Sequence, residues 1–522
     1  MTMFSSQWFA NPGVDAGYEV DYSCRFNPDD SSYLIRTSGD AGTPKTWTIF
    51  MYCKRGIIGT LQQLMTVDNG SDTNTVMFQF NTSDELRLYF LDTSTALTID
   101  WKSTRVFRDP HAWYFFTFTM NTVPSTPIFK IWNWNDEITA WDKSTADSLA
   151  QNDVFEIGTA GARYEIGAFE NGSGRFLDGY LAQCGYMDGT VVTSPVDGGL
   201  IELDDNGVYR PLNVSGLDFG TAGHFLDFAD SNDLGNDVSG NNNFTSSGMD
   251  TTNRVPDTPT TNWATLSSIS GVMGAGAVTL SNGNLDTVGT VSTSSNNTIC
   301  SHTVTSGKWV WAVKPGSPGQ AQNSDPWIFD LSSGRDIYVN QPNNDAAGWG
   351  SSMDTTSTFV TYHNGGNRSH TVSPIFATND LHLMAADIDN LKLWCGYYDD
   401  SADTTNWMDG STGITGDPGA GTDQTWTLTG THFAFGTSTY GTRTGQVDFG
   451  QRTGIIDQIT IPTGFQFLNT TNLAVPSIAD PSAHFQSNAR TGDGAGATAD
   501  VNGATSSTTT LVVDGNSGTI AA

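Results

Sequence analysis

Tryptophans and carboxylates are the residues of this 522-residue chain whose types and spacing suit chemistry. The stretch Ile131-Trp-Asn-Trp-Asn-Asp-Glu-Ile-Thr-Ala-Trp141 places Trp132 and Trp134 on one face of a strand, with Trp141 close behind. Flat indole rings beside Asn and Asp suit a saccharide: the rings stack on the apolar face of a pyranose, and the amides and carboxylates hold its hydroxyls. Trp394, Tyr398 and Trp407, with Tyr397, form a second such group. Core or interface packing is the better reading of both groups, because an alternating strand turns the same rings inward. The acids Asp227, Asp230, Asp233 and Asp237 offer oxygens to Ca²⁺, which takes roughly six to eight of them. Asp68-Asn-Gly-Ser-Asp72 is a smaller candidate. The spacing fits no EF-hand loop, and turns in which Asp bonds nearby backbone amides account for the same residues.

Catalytic spacing is absent. Retaining hydrolysis on a sandwich needs a nucleophile and an acid/base on one strand face, as Glu-x-Asp-x-x-Glu supplies. Glu202-Leu-Asp204 has Gly207 at the position of the second Glu. Only seven Glu occur, the last being Glu202, so the second half of the chain could offer only Asp pairs. No nucleophile elbow, zinc-protease helix or phosphate-cradling loop is present. The eight His are scattered, and His382 alternates with apolar neighbours as a strand residue would. The expectation is a protein without catalysis and without a required cofactor, Ca²⁺ being the metal its acids would suit.

Composition points to strands that carry such rings. The remaining 48 of the 55 acids are Asp, which favours turns, while Lys, a helix former, numbers eight. With 56 Gly and many Thr, Ser and Asn the chain reads as all-β. A net charge of -32 argues against nucleic acid and anionic membrane surfaces as partners. No apolar run approaches the roughly 18 residues that a membrane-spanning helix needs. The start, Met-Thr-Met-Phe-Ser-Ser-Gln-Trp8, has neither basic residues nor an apolar stretch, so no secretory signal is expected. Cys24, Cys53, Cys184, Cys300 and Cys395 are odd in number and far apart. Buried free thiols formed in a reducing cytoplasm are expected.

Period-2 runs set the organisation. Residues 1–30 read as an extended lead-in with Trp8, Phe9 and Tyr18. Residues 31–194 hold alternating runs: Trp47, Ile49, Met51 and Cys53; Val76, Phe78 and Phe80; Leu86, Leu88 and Phe90; Tyr114, Phe116, Phe118 and Met120. Trp47, Ile49, Phe78, Leu88, Phe116 and Phe118 are the expected core. Residues 195–262 form an Asp/Asn/Pro-rich connector, long enough that it should pack on its neighbours. Residues 263–473 hold a second set of strands, including an Asp387–Tyr398 hairpin turning at Asp389-Asn390. Residues 474–522 are a Gly/Thr/Ser-rich tail in which Thr508–Ile520 has strand–turn–strand grammar. The pattern predicts two tandem antiparallel β-sandwiches with little helix.

The first set of strands resembles the concanavalin A-like superfamily in its laminin G-like form, through Ser31-Ser-Tyr-Leu, Lys45-Thr-Trp-Thr-Ile-Phe-Met-Tyr-Cys-Lys-Arg, Asp109-Pro-His-Ala-Trp-Tyr and the stretch Phe176 to Gln183. The second resembles a SPRY-type sandwich, through Ser306-Gly-Lys-Trp-Val-Trp-Ala-Val, Ala386-Asp-Ile-Asp-Asn-Leu-Lys-Leu-Trp and Val447-Asp-Phe-Gly-Gln. These resemblances imply that the sandwiches are of jelly-roll, concanavalin A-like type. The whole order, with its Asp-Val-Ser-Gly-Asn-Asn-Asn-Phe connector and Pro462-Thr-Gly-Phe, is similar to structural proteins of marine tailed bacteriophages. That resemblance implies a virion component: a tail fibre, spike or head decoration made in the host cytoplasm. It would contact other virion proteins and a host-surface polysaccharide, as a homo-oligomer with a trimer favoured. A bacterial carbohydrate-binding surface protein is the alternative, and would need an export signal. A polysaccharide hydrolase is the third reading. Laminarinase-type glucanases share the first architecture but carry the Glu-x-Asp-x-x-Glu that this chain lacks.

Overall fold

Thr46–Arg55 shows how the sequence builds the fold. Its aromatic and β-branched residues favour extended backbone, and successive side chains leave on opposite faces. Trp47, Ile49, Met51 and Cys53 enter the main core of the N-terminal half, while Phe50 and Tyr52 point into a separate apolar layer. A strand apolar on both faces must be covered on both.

The computed structural model describes residues 17–70, 74–204, 207–240, 242–269, 273–274, 278–290, 295–316, 324–332, 347–353, 358–372, 377, 379–473, 485–488, 498–501, 509–513 and 516–520. It is nearly all β. Among the described residues, helix is confined to three 3-10 turns, Pro28–Asp30, Thr251–Asn253 and Ile456–Gln458. Two antiparallel sandwiches follow one another along the chain, as the alternation predicts.

In the first sandwich one sheet runs in the order Asp136–Glu137, Ile128–Asn133, Trp113–Asn121, Thr46–Arg55, Gly179–Asp188, Ser23–Phe26, Arg254–Val255. The facing sheet runs Trp141–Asp147, Leu97–Val106, Glu85–Leu91, Val76–Phe80, Gln62–Asp68, Arg163–Ile166, Tyr33–Thr37, Thr245–Ser247. Between them lies a ring-rich core in which Phe78 sits 4.6 Å from Phe118 and 5.3 Å from Phe90. All six residues expected in the core are there.

The second sandwich pairs a sheet centred on Phe433–Tyr440 and Ser324–Asp330 with one centred on Lys308–Pro315 and Leu381–Asp387. Its interior is mixed. Trp311 stacks on Phe435 at 4.3 Å, but Ser324 Oγ lies 3.0 Å from the hydroxyls of both Thr437 and Thr439, and 3.2 Å from that of Thr287 on the facing sheet. His382 Nδ1 lies 2.9 Å from Asp325 Oδ1, and both side chains are buried, so His382 is a core residue. The Asp387–Tyr398 hairpin forms with Asp387 opposite Lys392. The strands Ser295–Val304, Gly348–Met353, Thr358–His363 and Gly366–Thr371, rich in Ser, Thr, Asn and Gly, were not anticipated from apolar alternation.

Two segments expected to lie outside the sandwiches are built into the first one. Ser23–Phe26, within the expected lead-in, is a strand between Gly179–Asp188 and Arg254–Val255, with Cys24 and Phe26 facing the core. Four residues are too few to display a period. Trp8 and Phe9 lie outside the described residues, whereas Tyr18 packs on the sandwich itself and accepts a hydrogen bond from Gln183 Nε2 at 3.0 Å. The expected connector adds His224–Leu226, Thr245–Ser247 and Arg254–Val255 to the two sheets. Its Leu200, Ile201, Val214, Phe219 and Phe225 also cover Phe50, Tyr52 and Phe115 on the outer face of the first sheet. In the second sandwich the outer face, with Val310, Leu383 and Trp394, is covered by Ile455, Ile456, Ile459 and Phe465.

The sandwiches meet through buried polar contacts. Lys54, fully buried, donates to Asp257 Oδ2 at 2.8 Å, Asn262 Oδ1 at 2.7 Å and the Trp263 carbonyl at 3.1 Å. Asp257 also accepts from Trp113 Nε1 and from the Trp263 amide. Tyr180 Oη donates to the Gly283 carbonyl at 2.8 Å, while the Gly283 amide donates to buried Asp178 at 2.9 Å. Gly283 has φ +66, and a Cβ there would lie 2.4 Å from the Tyr180 oxygen, so glycine is required. All five cysteines are buried free thiols, as expected. Burial pushes the Cys53 thiol up to about 12 and that of Cys300 to about 11. In the tail, Thr509–Val513 pairs with Asn516–Ile520 where strand–turn–strand grammar was read, and Phe485–Asn488 pairs with Thr498–Val501.

Candidate binding cleft

The cleft begins with the hairpin of Lys392–Asp399 and Thr404–Trp407. Alternation sends Leu393, Cys395 and Tyr397 into the core and Trp394 and Tyr398 to the outer face. Gly396, between the latter two, lies opposite Trp407. A Cβ at Gly396 would sit 2.6 Å from the Trp407 ring, so the missing side chain is what lets the indole lie across the hairpin. Tyr398 pairs with Thr405, and its hydroxyl donates to Asp403 Oδ1 at 3.0 Å. Burial first, and then the Asp403 carboxylate, raise the Tyr398 hydroxyl above its ordinary value, so it remains a donor.

Two loops wall this aromatic floor. Trp394 Nε1 donates to the Thr422 carbonyl at 2.8 Å and so anchors the loop that carries Asp417, Pro418 and Gly419. Mutual backbone bonds between Asp417 and Thr422 close the loop, and the Ala420 amide donates to Asp417 Oδ1. The opposite wall, Gln458 to Thr463, follows Ile455 and Ile456, which are fixed in the apolar layer. Buried Asp448 accepts the Ile456 amide at 3.1 Å and sets where that wall starts. Together these elements enclose a cleft of about 380 Å³. Its lining mixes the rings of Tyr398 and Trp407 and the apolar Pro418, Ile461 and Pro462 with Asp403, Thr405, Asp417, Gln458, Thr460 and Thr463. Small apolar patches beside exposed hydroxyls and carboxylates suit an uncharged or cationic polyol.

Tyr398 and Trp407, two of the aromatic candidates, are buried to 6% and 9% exposure with their remaining surface lining one cleft, and Trp394 is fully buried beneath it. The other group is placed differently. Trp132 and Trp134 are buried, Trp134 at φ +55 in the turn before Asp136–Glu137, with its ring 5.6 Å from Tyr52. Trp141 is half-buried, 6.0 Å from Trp101, and donates Nε1 to the Ile138 carbonyl. No open indole pair faces solvent there.

The four connector acids are not brought together as an ion site. Asp227, Asp230 and Asp233 each accept the amide two residues on, closing separate turns. Asp237 is buried and accepts the Phe225, Ser239 and Asn242 amides. One oxygen of each of the first three and both of Asp237 are engaged by backbone amides, and no group of three or more His, Cys, Asp or Glu poised for a metal occurs among the described residues. Asp68 pairs with Arg163 at 2.7 Å and accepts the Gly70 amide, while Asp72 lies outside the described residues. Sequence reasoning missed Asp403, Thr405, Asp417 and the Thr460–Thr463 wall. Their only local signals are turn residues, Asp-Ser-Ala-Asp403 and Asp417-Pro-Gly, and topology alone brings these loops to one place.

No family model and no curated protein matches the chain. Among solved structures it is similar to the SPRY domain of human HERC1, at 13% identity over 34% of this chain and 94% of that one, TM-score 0.24. A putative carbohydrate binding protein from Bacteroides ovatus is similar at 14% identity over 44% of this chain and 58% of that one, TM-score 0.31. The LG1-3 region of the laminin alpha2 chain is similar at 7% identity over 82% of this chain and 58% of that one, TM-score 0.31. No helix of the described residues is long and apolar enough to cross a membrane.

Proposed function

We propose that this chain is a non-catalytic, saccharide-binding structural subunit of a bacteriophage particle. The observation that carries the binding half is the cleft of the second sandwich, where Tyr398 and Trp407 lie among hydroxyls and carboxylates. Stacking on rings together with a few placed polar groups is how a small concave site fixes a sugar. The virion half is supported by the order of sandwich, connector and second sandwich, which resembles phage structural proteins. A fibre, spike or decoration subunit that presents one shallow cleft per chain gains avidity from a trimer, so a homo-oligomer belongs to this reading.

Two carboxylates in a sugar-sized cleft also invite a hydrolytic reading. Glycoside hydrolysis needs one carboxyl held protonated in an apolar setting. Asp403 and Asp417 instead stand exposed on loops, Asp403 accepting the tyrosine hydroxyl and Asp417 a backbone amide. Their exposure favours binding without turnover.

The test is a glycan array followed by titration calorimetry with Thr405→Phe, which fills the cleft from a half-buried strand position. Binding by the parent chain and its loss in the variant, with an unchanged melting temperature, would support the reading. Equal binding by both would move the site elsewhere. Product release that disappears in Asp403→Asn would replace binding by catalysis. Mass spectrometry of purified particles tests the virion assignment.

A further inference from the structure

We infer that the cleft selects sugars by charge, favouring a cationic amino sugar over a neutral one and rejecting uronates and sulfated sugars. This rests on the reading of the cleft as a saccharide site. Two of its lining residues, Asp403 and Asp417, are acids, and none is basic. Both stand exposed at the rim, where an entering ligand meets them before the rings. Their free oxygens are oriented, because each carboxylate is already fixed on one side, Asp403 by Tyr398 and Asp417 by Ala420.

Between the acids the rings of Tyr398 and Trp407, only 6% and 9% exposed, bring no positive charge to the cleft. Two lysines on the strands beneath do not offset this. Lys308 is paired with buried Asp387 at 3.1 Å, and Lys392 donates to the Gly421 carbonyl at 2.6 Å. The whole chain carries -32, so an anionic polymer is also opposed at long range.

The experiment is titration calorimetry with equal-length oligosaccharides in amine, N-acetyl and 6-carboxylate forms, each on a glucose-type and a galactose-type backbone, at low and high salt. At low salt the amine form is expected to bind roughly three- to thirtyfold tighter than the N-acetyl form on the better backbone, since two exposed charge contacts each contribute modestly. The advantage should shrink at high salt. Asp403→Asn and Asp417→Asn keep an oxygen for their hydrogen bonds. Each should weaken amine binding more than N-acetyl binding, so that the amine advantage falls toward parity. Carboxylate binding that matches or exceeds amine binding, or an amine advantage that survives both substitutions, would overturn charge selection and leave saccharide binding standing. Absence of binding by all forms would overturn both.

Discussion

The two sandwiches cover their outer faces with unequal lengths of later chain, and the candidate cleft lies beside the shorter cover. Each has one sheet that is apolar on both faces, and each lays a later stretch of chain over the outer face. In the first, residues 195–262 bring Leu200, Ile201, Val214, Phe219, Phe225 and Val255 onto Phe50, Tyr52 and Phe115. In the second, the cover is the shorter stretch from Ile455 to Phe467, which seals Val310, Leu383 and Trp394 and leaves only 6% of Tyr398 and 9% of Trp407 exposed. Those small exposed parts, with the loops beside them, line a cleft. The same sheet chemistry thus yields a sealed body or a site, according to how far its cover reaches.

The largest effect that can test this contrast is at the junction between the modules. Asp257→Ala strands the Lys54 ammonium in a buried setting, and removing one partner of such a pair costs roughly 3–5 kcal/mol. Calorimetry should also show one unfolding transition becoming two, because Lys54 ties the first sandwich to Asn262 and Trp263 at the start of the second. A single transition at an unchanged temperature would mean that the modules are not coupled there.

Next come the covers themselves. Phe50→Ala should cost roughly 3–5 kcal/mol and Ile456→Ala roughly 2–5 kcal/mol by chemical denaturation. Only Ile456→Ala should also weaken saccharide binding, since it loosens a wall of the cleft. A neutral Phe50→Ala would show that the outer layer of the first sandwich is not a second core.

A smaller effect appears with pH at the same junction. Burial, with Asp29 and Asp286 nearby, pushes the Asp178 carboxyl up to about 7 despite the Gly283 hydrogen bond. In the unfolded chain it titrates near ~3.9. Between these values the folded protein holds a proton that the unfolded chain has released. The contribution of Asp178 is therefore fully present at the acid end and is lost as pH rises through about 7. Melting curves from pH 4 to 8 should decline more steeply for the parent chain than for Asp178→Asn, which keeps an oxygen for the Gly283 amide. Parallel curves would remove Asp178 from the account. The smallest change is expected of Thr405→Phe, within about 0.5 kcal/mol of the parent in stability, while saccharide binding is lost.

Much of the fold was legible because inward positions alternate over five residues or more. Trp47, Ile49 and Met51 declared a strand, as did Phe116 and Phe118. The residues between them, Phe50, Tyr52 and Phe115, were equally legible as a second apolar face, and from them a cover could have been inferred. Polar stretches of the second sandwich were not legible as strand, since inward Ser and Thr such as Ser324, Thr437 and Thr439 satisfy one another and so mimic surface residues. The site was half legible: Tyr398 and Trp407 were singled out as aromatics. Trp132 and Trp134 looked the same in one dimension and are buried like them, but lie away from the cleft. What separates them is where the later chain runs, and that depends on contacts across some 60 to 200 positions, which no local pattern encodes.

The buried thiols have one more consequence. Oxidation of cysteine proceeds through the thiolate and follows access. Here both are denied at once, with each sulfur sealed and its proton held tightly. Cys24 and Cys53 sit on strands flanking Leu181 in one core and remain unlinked. A molecule so arranged should carry the same covalent structure inside a cell and after long exposure to aerated water, ageing without acquiring a crosslink.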